Sequence, residues 1–467
     1  MKLPFTTGYY IDEALQNANV ECTNAIPVIY SIGGIQKKKL RAPPGIELFG
    51  TAGTKKSRGQ WALDEIPYTV NGNNLYRINE DQTTTDLGTI AGSGRVSMAS
   101  SVLELCIVVP GVTGYIYSVA GGLTEITDAT YLANLSLDVA FKDGFFFHVT
   151  SSKLFKSNLN DGLTYDALDF ASAEVLPDKI TSVHVSRNQL YVGGVETIEP
   201  FQAVTGSDFG YIRVNGAVIP MGVKAVHSMI EFARTFAFVG GAKNEIPSVY
   251  LFTGSTPERI ASNAIDLLIA EHTDDQLKDI FCTTYAERGN FMLNVHFKNR
   301  TMTYDQQTGL WHERTSKDVN GLQTNWRVNG IISAYGKTLV ADNQSGRIGC
   351  FNKDLYTEYG VSVKRPFSTI PFAKQDDSRV YLSDMEITMQ TGTGTTDDLE
   401  PRITREFSDD GGRTFYANTS RSLGKKGQYK IRQIWKLEGS AHKQRMYRFT
   451  HDSPTAFEVH DLQVDVR

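Results

Sequence analysis

Cysteine is scarce in this chain. Its four thiols, Cys22, Cys106, Cys282 and Cys350, lie far apart with no Cys-x-x-Cys pair, which excludes a zinc ribbon or a dithiol redox motif built from chain neighbours. Buried free thiols are expected instead. Long apolar runs are also missing. No stretch approaches the roughly 20 apolar residues of a membrane span, and Met1-Lys2-Leu3-Pro4-Phe5-Thr6-Thr7-Gly8 opens the sequence without an apolar leader. A protein made in a reducing, aqueous compartment and without a membrane partner is expected. Nor is there an excess of one charge: 47 basic residues stand against 52 acidic ones, a formal net charge of −5. The chain as a whole makes no electrostatic bid for nucleic acid or anionic lipid, so any DNA contact is local or transient.

Catalytic signatures are lacking too. His312-Glu313-Arg314-Thr315-Ser316 begins like a zinc-protease helix but has serine where the second histidine must stand. Gly336-Lys337-Thr338 ends like a phosphate loop, yet position 331, where the opening glycine belongs, is Ile331, and Gly330 comes one residue early. A hairpin turn accounts for it better. No Gly-x-Ser-x-Gly elbow is present. No catalytic residue, metal ligand or cofactor is assigned, and the chain is not expected to be an enzyme.

What the sequence does have is glycine, 41 residues, and 21 tyrosines with 24 phenylalanines, a composition that favours strands. An aliphatic-aromatic pair recurs at Leu75-Tyr76, Ile116-Tyr117, Leu154-Phe155, Leu190-Tyr191, Val249-Tyr250 and, more loosely, Thr303-Tyr304. That spacing is on the scale of a propeller blade with variable insertions. Apolar runs precede several of these pairs, as in 103–109 and 145–149, and Gly193-Gly194 and Gly240-Gly241 stand where blades stop. Tyr304 to Trp311 resembles a kelch-type ending, and a last unit runs from Ile331 to Phe351. Six or seven blades are expected.

One helical insertion interrupts the pattern near 256–282. Thr256-Pro257-Glu258 reads as a cap with proline at the first helical position, followed by an apolar face of Ile260, Ala264, Leu267, Leu268 and Ala270. A second short helix starts at Thr273-Asp274-Asp275. The run Lys37-Lys38-Lys39-Leu40-Arg41 reads as a solvated loop. The expected fold is mainly β: an extended N-terminal segment over 1–39, a propeller over 40–355, and a C-terminal antiparallel β domain over 356–467.

Within that last domain, 356–398 reads as a strand pair with a long tip, and 429–436 as a strand with one aromatic and aliphatic face and one basic face. Ser408, Asp410, Gly412, Thr414 and Phe415 match the Ser-x-Asp-x-Gly-x-Thr-aromatic "Asp box", a stiff hairpin corner known from sialidases and other propeller proteins, and structural rather than catalytic.

The stretch from Phe407 through Val466, with its Ser-Asp-Asp-Gly-Gly-Arg-Thr corner, Leu423-Gly424, Arg432-Gln433-Ile434-Trp435 and Tyr447-Arg448-Phe449, resembles the closing segment of a phage family. So do 233–241, 248–254 with 257–262, and Trp311-His312-Glu313-Arg314. The family is the packaged-DNA stabilisation, or tail hub, proteins of short-tailed phages, of head-closure and nozzle type. The resemblance implies a virion protein of the phage tail, made in the host cytoplasm. It implies a homo-hexamer below the portal and its adaptor ring that closes the DNA-filled head. Such a ring carries the tail needle and spikes or fibres, and lets double-stranded DNA pass at ejection without sequence-specific binding. The competing reading is a glycan-binding or sialidase-like tail propeller. A sialidase repeats the box and sets three arginines on a substrate carboxylate beside a tyrosine nucleophile and its glutamate; one box is present, and the sequence does not single out the arginines. Tyr165, Tyr211 and Trp326 are candidates for stacking on sugar.

Overall fold

The computed structural model describes residues 1–11, 19–29, 38–172, 178–205, 209–254, 256–373, 379–442 and 444–466. Gly33-Gly34 and Lys37 lie outside the described residues. Strands dominate, and among the described residues helix is confined to Ala129–Ala133, Asn263–Ala270, Asp274–Leu277 and a 3-10 turn at Val226–Ser228.

Among the described residues seven sheets follow one another between residues 45 and 362, antiparallel except where Thr357–Glu358 runs parallel to Gly45–Thr51 in the last. We number them blades 1 to 7, starting with the sheet over 57–89. Their packing explains the apolar runs. In blade 2, Leu105 and Ile107 join Tyr68 and Leu75 of blade 1, while Cys106 and Val108 join Phe146 and Phe155 of blade 3. A strand buried on both faces has no solvent side, so its residues run apolar without alternation. Each blade shares such a core with the next, and Phe49, Leu339 and Ile348 of blade 7 pack against Ile78 of blade 1, which closes the ring. Closure is also written into the backbone. The strand Gly45–Thr51 forms the fourth strand of blade 7 beside Arg347–Asn352, with Phe351 opposite Ile46.

The recurrent aromatic pair marks the third strand of blades 1, 2, 3, 5 and 6. Leu190-Tyr191 differs, lying in the second strand of blade 4 opposite Phe201 and Pro200. The helical insertion starts later than its proline suggests. Pro257–Arg259 is the outer strand of blade 5, where an edge position tolerates a missing N–H. The helix begins at Asn263 and buries Ala264, Ile265, Leu268 and Ile269, leaving Leu267 half-buried and Ala270 exposed. Thr273 caps the second helix through a reciprocal capping box with Gln276.

The C-terminal part is two facing sheets. One orders Ile26–Ile29, Lys38–Arg41, Glu458–Val466, Val380–Met389 and Gln433–Ala441; the other orders Arg365–Ser368, Met446–His451, Arg402–Ser408 and Tyr416–Ser422. Met385, Ile387, Trp435 and Leu462 of the first meet Phe367, Ile403, Tyr447 and Phe449 of the second in one core. Three expectations change here. Arg365–Ser368 and Val380–Met389 are not a pair: they belong to opposite sheets, each turning its apolar side to the shared core. The strand expected over 429–436 starts only at Gln433, because Gly424 and Gly427 at positive φ let Lys425 and Gln428 close a turn. And Lys38–Arg41 is a strand rather than a solvated loop, with Lys39 paired to Glu458 and Arg41 to Glu287 at 2.5 Å.

Candidate functional site

Three places gather polar side chains. The first is the axial channel of the propeller, a cavity of about 570 Å³ to which the inner strands of all seven blades contribute. Arg95 lies over the Phe281 ring at 3.9 Å and donates to the Asn329 side-chain oxygen at 2.8 Å. Burial pushes the Asp138 carboxyl up to about 6, although the Val183 N–H donates to it. Burial, aided by Arg95, pushes His227 down to about 3. The lining mixes apolar side chains such as Trp61, Met98 and Phe141 with polar ones; Arg95 and Asp138 bond within the protein, whereas neither polar atom of the Gln60 side chain has a hydrogen-bond partner among the described residues. No group of three or more His, Cys, Asp or Glu side chains suited to a metal ion occurs among the described residues.

The second is the junction between propeller and sandwich, held by the N-terminal stretch. Residues 21–24 run between two sheet edges. On one side Asn24 N–H donates to Glu313 O and Glu313 N–H to Cys22 O, both at 2.8 Å; on the other Thr23 N–H donates to Pro366 O and Ser368 N–H to Glu21 O, both at 2.9 Å. One short strap thus completes the edge of blade 6 and the edge of the sandwich together. Leu3 N–H to Leu462 O and Tyr9 N–H to Trp311 O repeat the bridge. Beside the strap lies a charged cleft of about 760 Å³, in which Arg448 pairs with Glu406 at 2.8 Å and Glu21 at 3.3 Å.

The third is the sandwich corner. The Ser408 hydroxyl meets Asp410 at 2.6 Å and accepts from Gly412 N–H at 2.9 Å, Asp410 accepts from Arg413 and Thr414 N–H at 3.0 Å, and Thr414 donates its hydroxyl to Asp410. Phe415 lies under the Arg448 guanidinium at 3.7 Å. Gly411 and Gly412 both take positive φ. Burial raises the Asp410 carboxyl, but the hydrogen bonds from Ser408, Thr414 and Arg413 outweigh it and hold it down at about 2. A carboxyl held below its unfolded value of about 4 contributes stability above that value and loses it as pH falls through about 2. Asp410→Ala and Gly412→Val are each expected to destabilise the sandwich by about 1–3 kcal/mol. For Asp410→Ala the deficit should shrink as pH falls from about 4 to 2. Thermal melts of both variants equal to the parent at pH 7 would show that the corner carries no stability.

Behind the corner, Arg405, Arg421 and Arg445 gather around Glu438 and Tyr447. These are the residue types of a sialidase centre, but the carboxylate is the protein's own. Arg405 pairs with Glu438, which is 1% exposed, and Arg445 grips Asp409 through two nitrogens at 2.7 Å. The stacking candidates are equally occupied. Tyr165 bonds His148 and Gly162, Tyr211 donates to Asp143 and Trp326 to Glu358, and all three rings are buried. His312 and Glu313 are neighbours on a strand, so their side chains point to opposite faces. The strap was missed by sequence reasoning; its one visible signal is the Glu-Cys-Thr-Asn tetrad, which nothing in period or composition distinguishes.

Family models cover nearly the whole chain. Residues 1–356 match the model described as "Bacteriophage P22 Gp10, beta-propeller", and residues 365–467 the one described as "Bacteriophage P22 Gp10, beta-sandwich". A curated relative, tail hub protein gp10 of Salmonella phage P22, is 23% identical over 373 residues, which is 76% of this chain and 76% of the relative. Among solved structures, the extracellular domain of a putative one-component system from B. thetaiotaomicron aligns with 11% identity and a TM-score of 0.43, over 66% of this chain and 40% of that one. The computationally designed Ika8 protein aligns with 13% identity and a TM-score of 0.37, over 72% of this chain and 100% of the design. With its propeller and its sandwich each matched, the chain belongs to the bacteriophage P22 Gp10 family.

Proposed function

We propose that this chain is the hub of a short phage tail. In this reading it is a structural virion protein that forms a ring of six below the portal and adaptor, closes the filled head, carries needle and spikes or fibres, and walls part of the ejection channel. The observation that carries it is the family match across both parts of the chain, together with a tail hub relative covered to three quarters of its length. The physics supports it. Blades packed on both faces and a sandwich strapped by main-chain bonds make a stiff building block. A chain with a net charge of −5 suits a conduit, since every phosphate neutralised adds affinity that ejection must break.

A glycan-binding or sialidase-like role is not favoured: the three arginines, the glutamate and the candidate stacking rings are engaged with one another or with the core. Phage particles assembled without this protein should fill their heads and then lose DNA, and adding the purified protein should restore retention. Particles that hold their DNA in its absence, with a monomeric protein that binds or cleaves a glycan, would overturn the reading.

A further inference from the structure

One face of the propeller and one edge of the sandwich carry opposite charge. In each blade, the turns from first to second and from third to fourth strand lie on the same face, because antiparallel strands return the chain to one side at every second connection. In blades 1–3 these turns contain no lysine or arginine. Asp64, Glu65, Glu80, Asp81 and Asp166 are exposed there, and none of the five forms an ion pair among the described residues. Between them Val102, Leu103, Val119 and Leu159 are 60–77% exposed. The Gly162 N–H donates to Glu104 at 3.1 Å, which sets the turn bearing Leu103 beside the loop bearing Leu159. Exposed apolar side chains gathered in this way mark a contact surface rather than scatter.

The sandwich carries the complement. Residues 425–437 contain no acid. Lys425, Lys426, Lys430 and Lys436 are exposed around Tyr429, 71% exposed, and Leu437, 90% exposed. Gln433–Ala441 is the outermost strand of its sheet, and the strands that lead into the propeller are at the other edge. The sandwich is strapped to blade 6, and in a ring of seven, blade 6 stands across from blades 2 and 3.

Resting on the hub reading, we infer that the acidic and apolar turn face of blades 1–3 receives the basic Tyr429 to Leu437 edge of the next copy's sandwich. Two different surfaces make a heterologous contact, the kind that closes into a ring when its rotation closes. The apolar side chains supply contact area, and the charges set register and reject the reverse pairing.

The test reverses charge on each side of the full-length protein: Lys425→Glu with Lys430→Glu, and Glu80→Lys with Asp81→Lys. Ring formation on portal-adaptor particles is read by native mass measurement and sedimentation at low salt. Each pair alone should lower the ring fraction by about tenfold or more, and the four changes combined in one chain should restore it. Rings of the parent should weaken at about 1 M salt, where screening shortens to about 3 Å. Rings that form normally with either pair overturn the contact while leaving the hub reading intact, and so does a lysine-reversed variant that assembles but loses affinity for a double-stranded DNA probe. A parent chain that stays monomeric with portal-adaptor particles overturns the hub reading and this contact together.

Discussion

Replacing Asn24 with alanine should destabilise the protein by about 3–5 kcal/mol, more than any other single side-chain truncation in the strap. Asn24 is 1% exposed and takes a left-handed φ of 50°, which asparagine accepts more readily than most residues. Its amide donates to Thr315 O at 3.1 Å, Thr315 Oγ1 at 2.9 Å and Lys364 O at 2.9 Å, and its oxygen accepts from Thr315 N–H at 3.1 Å. One side chain therefore ties the strap to blade 6 and to the linker entering the sandwich. Alanine would leave the buried Thr315 N–H without this partner, at about 1–3 kcal/mol, and would also remove the bonds to the Thr315 hydroxyl and to the Lys364 carbonyl. Urea unfolding should show a single transition splitting as the sandwich and propeller uncouple. A variant within about 0.5 kcal/mol of the parent, unfolding in one step, would show that the junction does not depend on this residue.

Gly240→Ala should be more damaging, above about 4 kcal/mol, and should leave little soluble propeller. The strand Thr235–Gly241 passes so close to the inner strand of blade 5 that a β-carbon on Gly240 would sit 1.8 Å from Gly222 O. Gly222 is pinned in turn, because its own β-carbon position is 2.1 Å from the Val195 carbonyl carbon and oxygen in blade 4. Both obstacles are backbone, which cannot rotate aside as a side chain can. Gly241→Ala is the control: its β-carbon would meet nothing nearer than 3.5 Å, an ordinary contact. Soluble yield and thermal melts of the two variants decide the matter. Equal stability of Gly240→Ala and Gly241→Ala would refute the close-approach argument.

Much of this architecture was legible because its signals are local. The capping box at Thr273 and Gln276, the twin glycines of the Asp-box corner and the third-strand aromatics each sit within a few residues of the structure they specify. Pro257 misled for an equally local reason: a first-turn proline and an edge-strand proline satisfy the same missing N–H. The glycine pairs read as blade stops are, at Gly240, a matter of space between backbones, which no sequence pattern reports.

The residues alone settled that the chain is strand-built, that an aromatic strand recurs along it, and that a tight hairpin corner stands in its last part, since strand-forming composition and turn chemistry are properties of neighbours in sequence. Only the tertiary structure decided the rest. Residues 21–24 pair with Glu313, Pro366 and Ser368, far along the chain, through backbone groups that every residue type possesses and that therefore leave no mark in the sequence. Arg405 and Glu438, 33 positions apart, likewise meet only in the fold. The fold arranges the charge too: a chain close to neutral overall gathers exposed acids on the turns of blades 1–3 and exposed lysines around Tyr429 on the sandwich.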